Sequence, residues 1–148
     1  MRFIQYLTEV FDTKVKLTIE KNSEGFRYFF TIKDNDYSVS FDEDKIGDII
    51  DEVYISFAIK DDENQRGWTT ILTDTGNEFK VFSGVISAVD DYLKRRNPNI
   101  IEFSASGFSR QNLYNKFAKA FVKKYKNYEK VAGIQGINTK TYRFMRIK

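Results

Sequence analysis

Between Val15 and Phe41 apolar residues recur at every second position in two stretches that flank an aromatic run, and this period of two restricts what the segment can build. Val15, Leu17 and Ile19 alternate with polar residues. A Ser23-Glu24-Gly25 turn then leads into the aromatic run Phe26 to Lys33, and after Asp34-Asn35-Asp36 the alternation returns at Tyr37, Val39 and Phe41. Successive side chains of a strand point to opposite faces, so the pattern predicts three antiparallel strands with one covered face. From Asp42 the spacing changes. Ile46, Ile49, Ile50 and Val53 follow i, i+3, i+4, i+7 behind the acidic run Asp42-Glu43-Asp44, which predicts a short helix whose first-turn acids complement its dipole. Strands are expected again at 54–59 and 68–73, joined by the polar loop 61–67. Ahead of the whole meander, Phe3, Leu7 and Phe11 predict a short amphipathic helix.

The second half reads as alternating elements. Beyond Asp74-Thr75-Gly76-Asn77, the residues Phe82, Val85, Ile86, Val89 and Leu93 mark a long helix that stops before Pro98. Ile100, Ile101 and Phe103 predict a short buried strand. Ser109 caps a further helix with an apolar face of Tyr114, Phe117, Ala118, Phe121, Val122 and Tyr125, and Tyr142 to Ile147 alternate as a last strand. The expected fold class is α+β over a single domain, 1–148. Residues 12–73 form mainly antiparallel strands plus a short helix, and this meander continues into a β-α-β-α-β half, 78–148, in a mixed sheet. A chain of 148 residues, 41% hydrophobic and with 14 Phe and 9 Tyr, can bury about two thirds of its unfolded surface and is not intrinsically disordered.

Charge divides the chain as sharply as periodicity does. Residues 1–91 carry 10 Lys+Arg against 19 Asp+Glu, whereas 92–148 carry 14 against 2, so −9 and +12 make up the net +3. A segment so depleted of acids generates a field that attracts polyanions. The absence of Cys excludes disulfides, thiolate metal sites and cysteine nucleophiles, and the absence of His removes the usual general base and the commonest metal ligand. No run of 18 apolar residues and no secretory signal pattern occurs, so no membrane partner is expected and a cytoplasm-like compartment is.

Lys116, Lys119, Lys123 and Lys126 form a stripe on the helix after Ser109. A stripe of this kind is what any solvated helix face carries. It is also what tracks phosphates, because each Lys or Arg contact to a nucleic-acid backbone releases counterions. The stretch 111–128 contains no acid to pair with these lysines, which favours the second meaning. Lys94, Arg95, Arg96 and Arg110 are expected to join the same surface, with Tyr125 and Tyr128 as exposed rings beside it. The turn around Gly76 and Asn77 sits at a helix start, where backbone N–H groups can receive a phosphate, but one glycine falls short of either glycine-rich phosphate motif and suits a structural turn. Asp42-Glu43-Asp44 and Asp61-Asp62-Glu63 lack calcium-loop spacing and read as helix-start and loop charges, so no metal site is expected. Trp68 is expected to pack under the long helix.

Three stretches carry resemblances. Met1 to Glu9, reading Met-Arg-Phe-Ile-Gln-Tyr-Leu-Thr-Glu, resembles the N-terminal capsid-targeting peptide of internal head proteins of T-even-type tailed phages. That resemblance implies cleavage by a prohead protease after Leu7-Thr8-Glu9, before Val10. Phe79-Lys80-Val81-Phe82, Ile101-Glu102-Phe103-Ser104-Ala105 and Ser109-Arg110-Gln111-Asn112-Leu113-Tyr114 are similar to small phage-encoded proteins without an assigned activity. The order strand, helix, strand, helix, strand from Trp68, with Leu113-Tyr114-Asn115-Lys116-Phe117, resembles the acetyl-CoA half of the GNAT acetyltransferase fold. It implies a GNAT-like sheet, acetyl-CoA as cofactor and Tyr114 as the general acid that protonates the departing thiolate. The family's pyrophosphate loop is represented only by Gly76 and Asn77, and the Gly-Phe that follows its lysine is missing after Lys116.

Three functional readings stay open. The first is a non-catalytic phage accessory or internal head protein, in the virion or the host cytoplasm, that needs no cofactor and binds DNA or another polyanion through Lys94, Arg95, Arg96, Arg110, Lys116, Lys119, Lys123 and Lys126. The second is GNAT-type acyl transfer from acetyl-CoA through Gly76, Asn77 and Tyr114. The third is a protein-binding inhibitor of a host factor, in which the acidic half carries the contact.

Overall fold

The computed structural model describes residues 16–32, 35–61, 67–69, 78–106, 115, 118, 119, 121–133 and 139–147. They make a mixed α+β fold dominated by strand. The strands are β1 (Thr18–Lys21), β2 (Gly25–Ile32), β3 (Asn35–Ile46), β4 (Ile49–Asp61), β5 (Gly67–Thr69), β6 (Ile100–Ser106), β7 (Tyr128–Val131) and β8 (Thr139–Arg146). Helix α1 (Glu78–Arg95) precedes β6, and the helical residues 115, 118, 119 and 121–124 constitute α2. The chain divides into two compact units that interleave in sequence, 1–42 with 56–96 and 43–55 with 97–148.

In the first unit the expected antiparallel meander is present. β1 pairs with β2 and β2 with β3, in a register that sets Phe26 opposite Phe41, Tyr28 opposite Val39 and Phe30 opposite Tyr37. Period two then puts these residues on one face, where all except Phe26 are buried. Helix α1 packs on that face through Val85, Ile86, Ala88, Val89 and Tyr92. The Tyr92 ring stacks on Phe41 at 4.2 Å and meets Phe26 edge-on at 6.0 Å. Each such side chain contributes on the order of 1.5–3 kcal/mol through area removed from water. The Tyr28 hydroxyl donates to Asp91 Oδ2 at 2.6 Å, a polar tie between β2 and α1. The short β5 pairs antiparallel with the end of β4.

In the second unit residues 43–53 are not helical. Ile46 ends β3, Gly47 and Asp48 turn, and Ile49 begins β4. Gly47 takes φ +63°, the left-handed conformation that closes a two-residue hairpin and that a β-branched residue would resist. The helical spacing is a coincidence of position. Ile46 and Ile49 flank the turn, exposed at 67% and 59%, while Ile50 and Val53 are buried on a strand whose alternation slips once between them. β-branched residues fit that pleated surface better than a helix, and four isoleucines and valines do not outvote the turn.

β4 runs parallel to β6, with Val53 opposite Ile101 and Ile55 opposite Phe103. β6 runs antiparallel to β8, with Ile101 opposite Phe144 and Phe103 opposite Tyr142. These six residues are buried. Phe121 of α2 packs on Phe144 at 4.6 Å, and Ala118 is buried beside it on the same helix. The chain leaves α2 with Tyr125 N–H donating to the Phe121 carbonyl, turns at Lys126 and Asn127, and adds β7 along β8, a strand that four residues of sequence did not announce. Tyr128 opens this strand buried, not as an exposed ring. Its hydroxyl donates to the Pro98 carbonyl at 2.6 Å, and burial pushes its pKa up to about 12.

Several sequence-based expectations lie outside the described residues: the helix at Phe3 to Phe11, the processing site Leu7-Thr8-Glu9, Gly76, Asn77, the Ser109 cap, Arg110, Tyr114, Lys116, Phe117 and the side chain of Trp68.

Candidate anion-binding site

Of the eight cations singled out from sequence six are described, and these do not share one environment. Lys94 and Arg95 belong to the last turn of α1, in the first unit, where they complement the helix dipole. Both have acids one turn back: Lys94 Nζ lies 3.0 Å from Asp90 and Arg95 Nε 2.7 Å from Asp91. These hydrogen bonds, and the charge behind them, raise the pKa of each. The Arg96 guanidinium stands 5.7 Å over the Phe26 ring. This group is therefore largely committed within its own unit.

Lys119, Lys123 and Lys126 belong to the second unit, and all three are exposed. Lys119 and Lys123 project from α2, whereas Lys126 sits in the turn after it. No carboxylate among the described residues pairs with any of them. The sheet adds two lysines to this set. Lys130 of β7 and Lys140 of β8 place Nζ 5.7 and 5.1 Å from the centroid of the Tyr142 ring, and Lys140 Nζ donates to Asn115 Oδ1 at 2.7 Å. The Tyr142 hydroxyl donates to the same oxygen at 2.8 Å. Burial and the ammonium groups of Lys140 and Lys119 lower the pKa of Lys130. Two lysines thus flank one tyrosine, one of them also bound to its amide partner, and the charge of Lys119 is felt at Lys130. Burial keeps the Tyr142 phenol neutral by raising its pKa, so it supplies no counter-charge.

The opposite side of the same strands is organised in the reverse way. Glu102 on β6 faces Arg143 on β8 in direct register, and Glu52 approaches from β4. Arg143 Nε lies 3.3 Å from Glu102 and Nη2 3.8 Å from Glu52. The Nε contact is an ion pair without hydrogen-bond geometry. Burial first, then a hydrogen bond and repulsion from Glu52, raise the pKa of Glu102 against the pull of Arg143. Here an earlier strand does supply a carboxylate to the basic half. Arg146 is held differently, donating from Nη1 to the Asn97 carbonyl at 3.0 Å and from Nη2 to Asn99 Oδ1 at 2.6 Å.

Sequence reasoning found Lys119 and missed Lys130, Lys140 and Asn115. Each sits on a separate element, and only the β7–β8 pairing and the return of α2 over Tyr142 assemble them; the one signal available was that Lys130 and Lys140 fall in the acid-poor segment. Among the described residues there is no group of three acidic, His or Cys side chains able to hold a metal ion, and no helix long and apolar enough to cross a membrane. No protein-family model, no curated protein and no solved structure was found to match the chain.

Proposed function

We propose that the protein is a non-catalytic binder of polyanions, DNA first among them, that works through the lysines of its second unit. The observation that carries this is the convergence of Lys119, Lys130 and Lys140 without a carboxylate among the described residues, continued along α2 and its turn by Lys123 and Lys126. Unpaired ammonium groups repel one another, and a polyanion removes that repulsion while releasing its own counterions. Lys94 and Arg95 play a smaller part than their sequence position implies, since Asp90 and Asp91 already oppose them. The resemblance of Met1 to Glu9 to a capsid-targeting peptide supports a phage accessory or internal head protein as the setting, in which a packaged protein meets DNA at high concentration.

Fluorescence anisotropy with a labelled 20-base-pair duplex tests the proposal. Binding should weaken by a factor of several hundred between 50 and 200 mM salt if about five lysines engage phosphates. Affinity that barely changes over this range refutes it. The GNAT-like reading of the sheet keeps the support of element order alone, β5, α1, β6, α2 and β8, with β7 inserted before the last strand. Acetyl-CoA titrated into the protein in a calorimeter separates that acyltransferase alternative from polyanion binding.

A further inference from the structure

Polyanion binding by diffuse charge needs only exposed lysines, and Lys123 and Lys126 satisfy it. The group around Tyr142 is built differently. Lys140 is held by Asn115, whose Oδ1 already accepts from two donors, Lys140 Nζ at 2.7 Å and the Tyr142 hydroxyl at 2.8 Å. The Asn115 amide therefore has only N–H donors left to offer a further group. Lys130 and Lys140 both stand within 6 Å of the same aromatic ring, held from neighbouring strands, and Lys119 of α2 is near enough for its charge to act on Lys130. Alternation along β7 puts Glu129 on the other side of the strand from Lys130. Lys119, Lys130, Lys140 and the Asn115 amide thus offer positive charge and N–H donors, and the complement of such a set is a compact oxyanion with several acceptors.

We propose that Lys119, Lys130, Lys140 and Asn115 form a discrete site for a single phosphate group, one that prefers a dianionic phosphomonoester, such as a nucleic-acid 5′ end, over the monoanionic diester of a strand interior. The site deepens the polyanion-binding role and presupposes it for its biological use, but it is separable in experiment. Two charges on one phosphorus suit three convergent cations better than one charge does, since each ammonium gains from both. The same convergence is costly when the site is empty, as Lys130 carries its charge against burial and two like neighbours.

Calorimetry with inorganic phosphate at constant ionic strength, chloride serving as the control anion, reads the site directly. Wild-type protein should show saturable one-to-one binding, weakened at least tenfold in K130Q and in K140Q and unchanged in K123Q. Without phosphate, K130Q should melt no lower than the wild type, because it removes a repelled charge; this also guards against loss of fold as the cause. A 5′-phosphorylated single strand should then bind the wild type at least threefold more tightly than its 5′-hydroxyl counterpart, and K130Q should abolish the difference. Phosphate heat no greater than that of chloride, or equal weakening in K123Q, overturns the discrete site while leaving diffuse polyanion binding intact if the duplex still binds with strong salt dependence. Phosphate binding that survives in a protein with no duplex affinity does the converse. Saturable phosphate binding without discrimination between the two 5′ ends removes the preference for a monoester.

Discussion

Replacing Gly84 by alanine ought to stabilise an ordinary helix and should damage this one. The residue lies inside α1, where alanine is favoured over glycine by about 1 kcal/mol. Against that gain, a Cβ at this position would fall 2.3, 2.5 and 2.7 Å from Cε2, Cζ and Cδ2 of Phe30. Comfortable carbon–carbon separations are about 3.5–4.0 Å, so the ring would have to retreat by more than about 1 Å. It has little room. Phe30 is buried and stacks on Tyr37 with centroids 5.4 Å apart and planes 16° from parallel. Overpacking of a filled core costs about 1–3 kcal/mol, and a buried ring already stacked on a neighbour belongs at the upper end of that range. Subtracting the propensity gain leaves a loss of about 2 kcal/mol, or about 6–8 °C in the melting temperature of a domain this size. Thermal melts followed by circular dichroism check the single variant. The double variant G84A/F30L checks the cause, since the smaller side chain makes room and should recover at least about 1 kcal/mol beyond additivity. A G84A protein that melts at or above the wild-type temperature, or a strictly additive double variant, refutes the close packing of α1 on β2.

The salt slope of duplex binding should fall by about 0.9 for each of K119Q, K123Q and K130Q, and stay unchanged in K94Q, as titrations at four or more salt concentrations will show. Tyr128→Phe removes a buried hydroxyl and strands the Pro98 carbonyl it serves, so chemical denaturation should register a loss of about 1–3 kcal/mol at neutral pH. The same variant has a pH signature. A phenol raised from 10 to about 12 in the fold contributes stability that is whole below pH 10 and is lost as pH climbs to 12, and Y128F should lose less over that window. Glu102 is likewise an acid whose pKa is raised in the folded state, so its protonated form is favoured there. Wild-type stability should decline as pH rises from the ordinary carboxylate range through the folded value, and urea titrations of E102Q across acidic to neutral pH should show a flatter profile.

Periodicity made most strands and the long helix legible. Tyr37, Val39 and Phe41 announced β3 because buried apolar residues alternate there with polar ones, and Val85, Ile86 and Val89 announced α1 because buried residues recur at helical spacing. Where reading failed, a local signal was outvoted by geometry at one residue. Gly47 made a hairpin of a segment whose isoleucines happened to match helical spacing, and the three-residue turn after Lys124 converted the end of a helix into β7. The site was half legible. Charge composition located Lys119, but the partners of a cation are a tertiary property: Asp90 and Asp91 could be read as i, i+4 neighbours of Lys94 and Arg95, whereas nothing local tells that Lys130 meets Lys140 over Tyr142.

The division of charge between the two faces of β8 carries the functional argument further than any total. Arg143 and Lys140 are three residues apart on one strand and bear the same formal charge, yet alternation sends them to opposite sides. Arg143 meets Glu102 and Glu52, one carboxylate from the neighbouring strand and one from the early hairpin, while Lys140 meets an amide, a phenol ring and the charge of Lys130. If net charge governed polyanion binding, removing either cation would weaken it alike. If the assembled face governs it, K140Q should lower duplex affinity severalfold and the salt slope by about 0.9, whereas R143Q, whose charge is already spent on acids, should leave both unchanged. Deleting Arg143 exposes Glu52 and Glu102 to each other, so the comparison is made in the E52Q background, where one of the two like charges is gone and thermal melts confirm the fold. Equal losses from E52Q/R143Q and E52Q/K140Q, each measured against E52Q, would mean that the protein attracts polyanions by its overall field, and that the convergence over Tyr142 has no share in it.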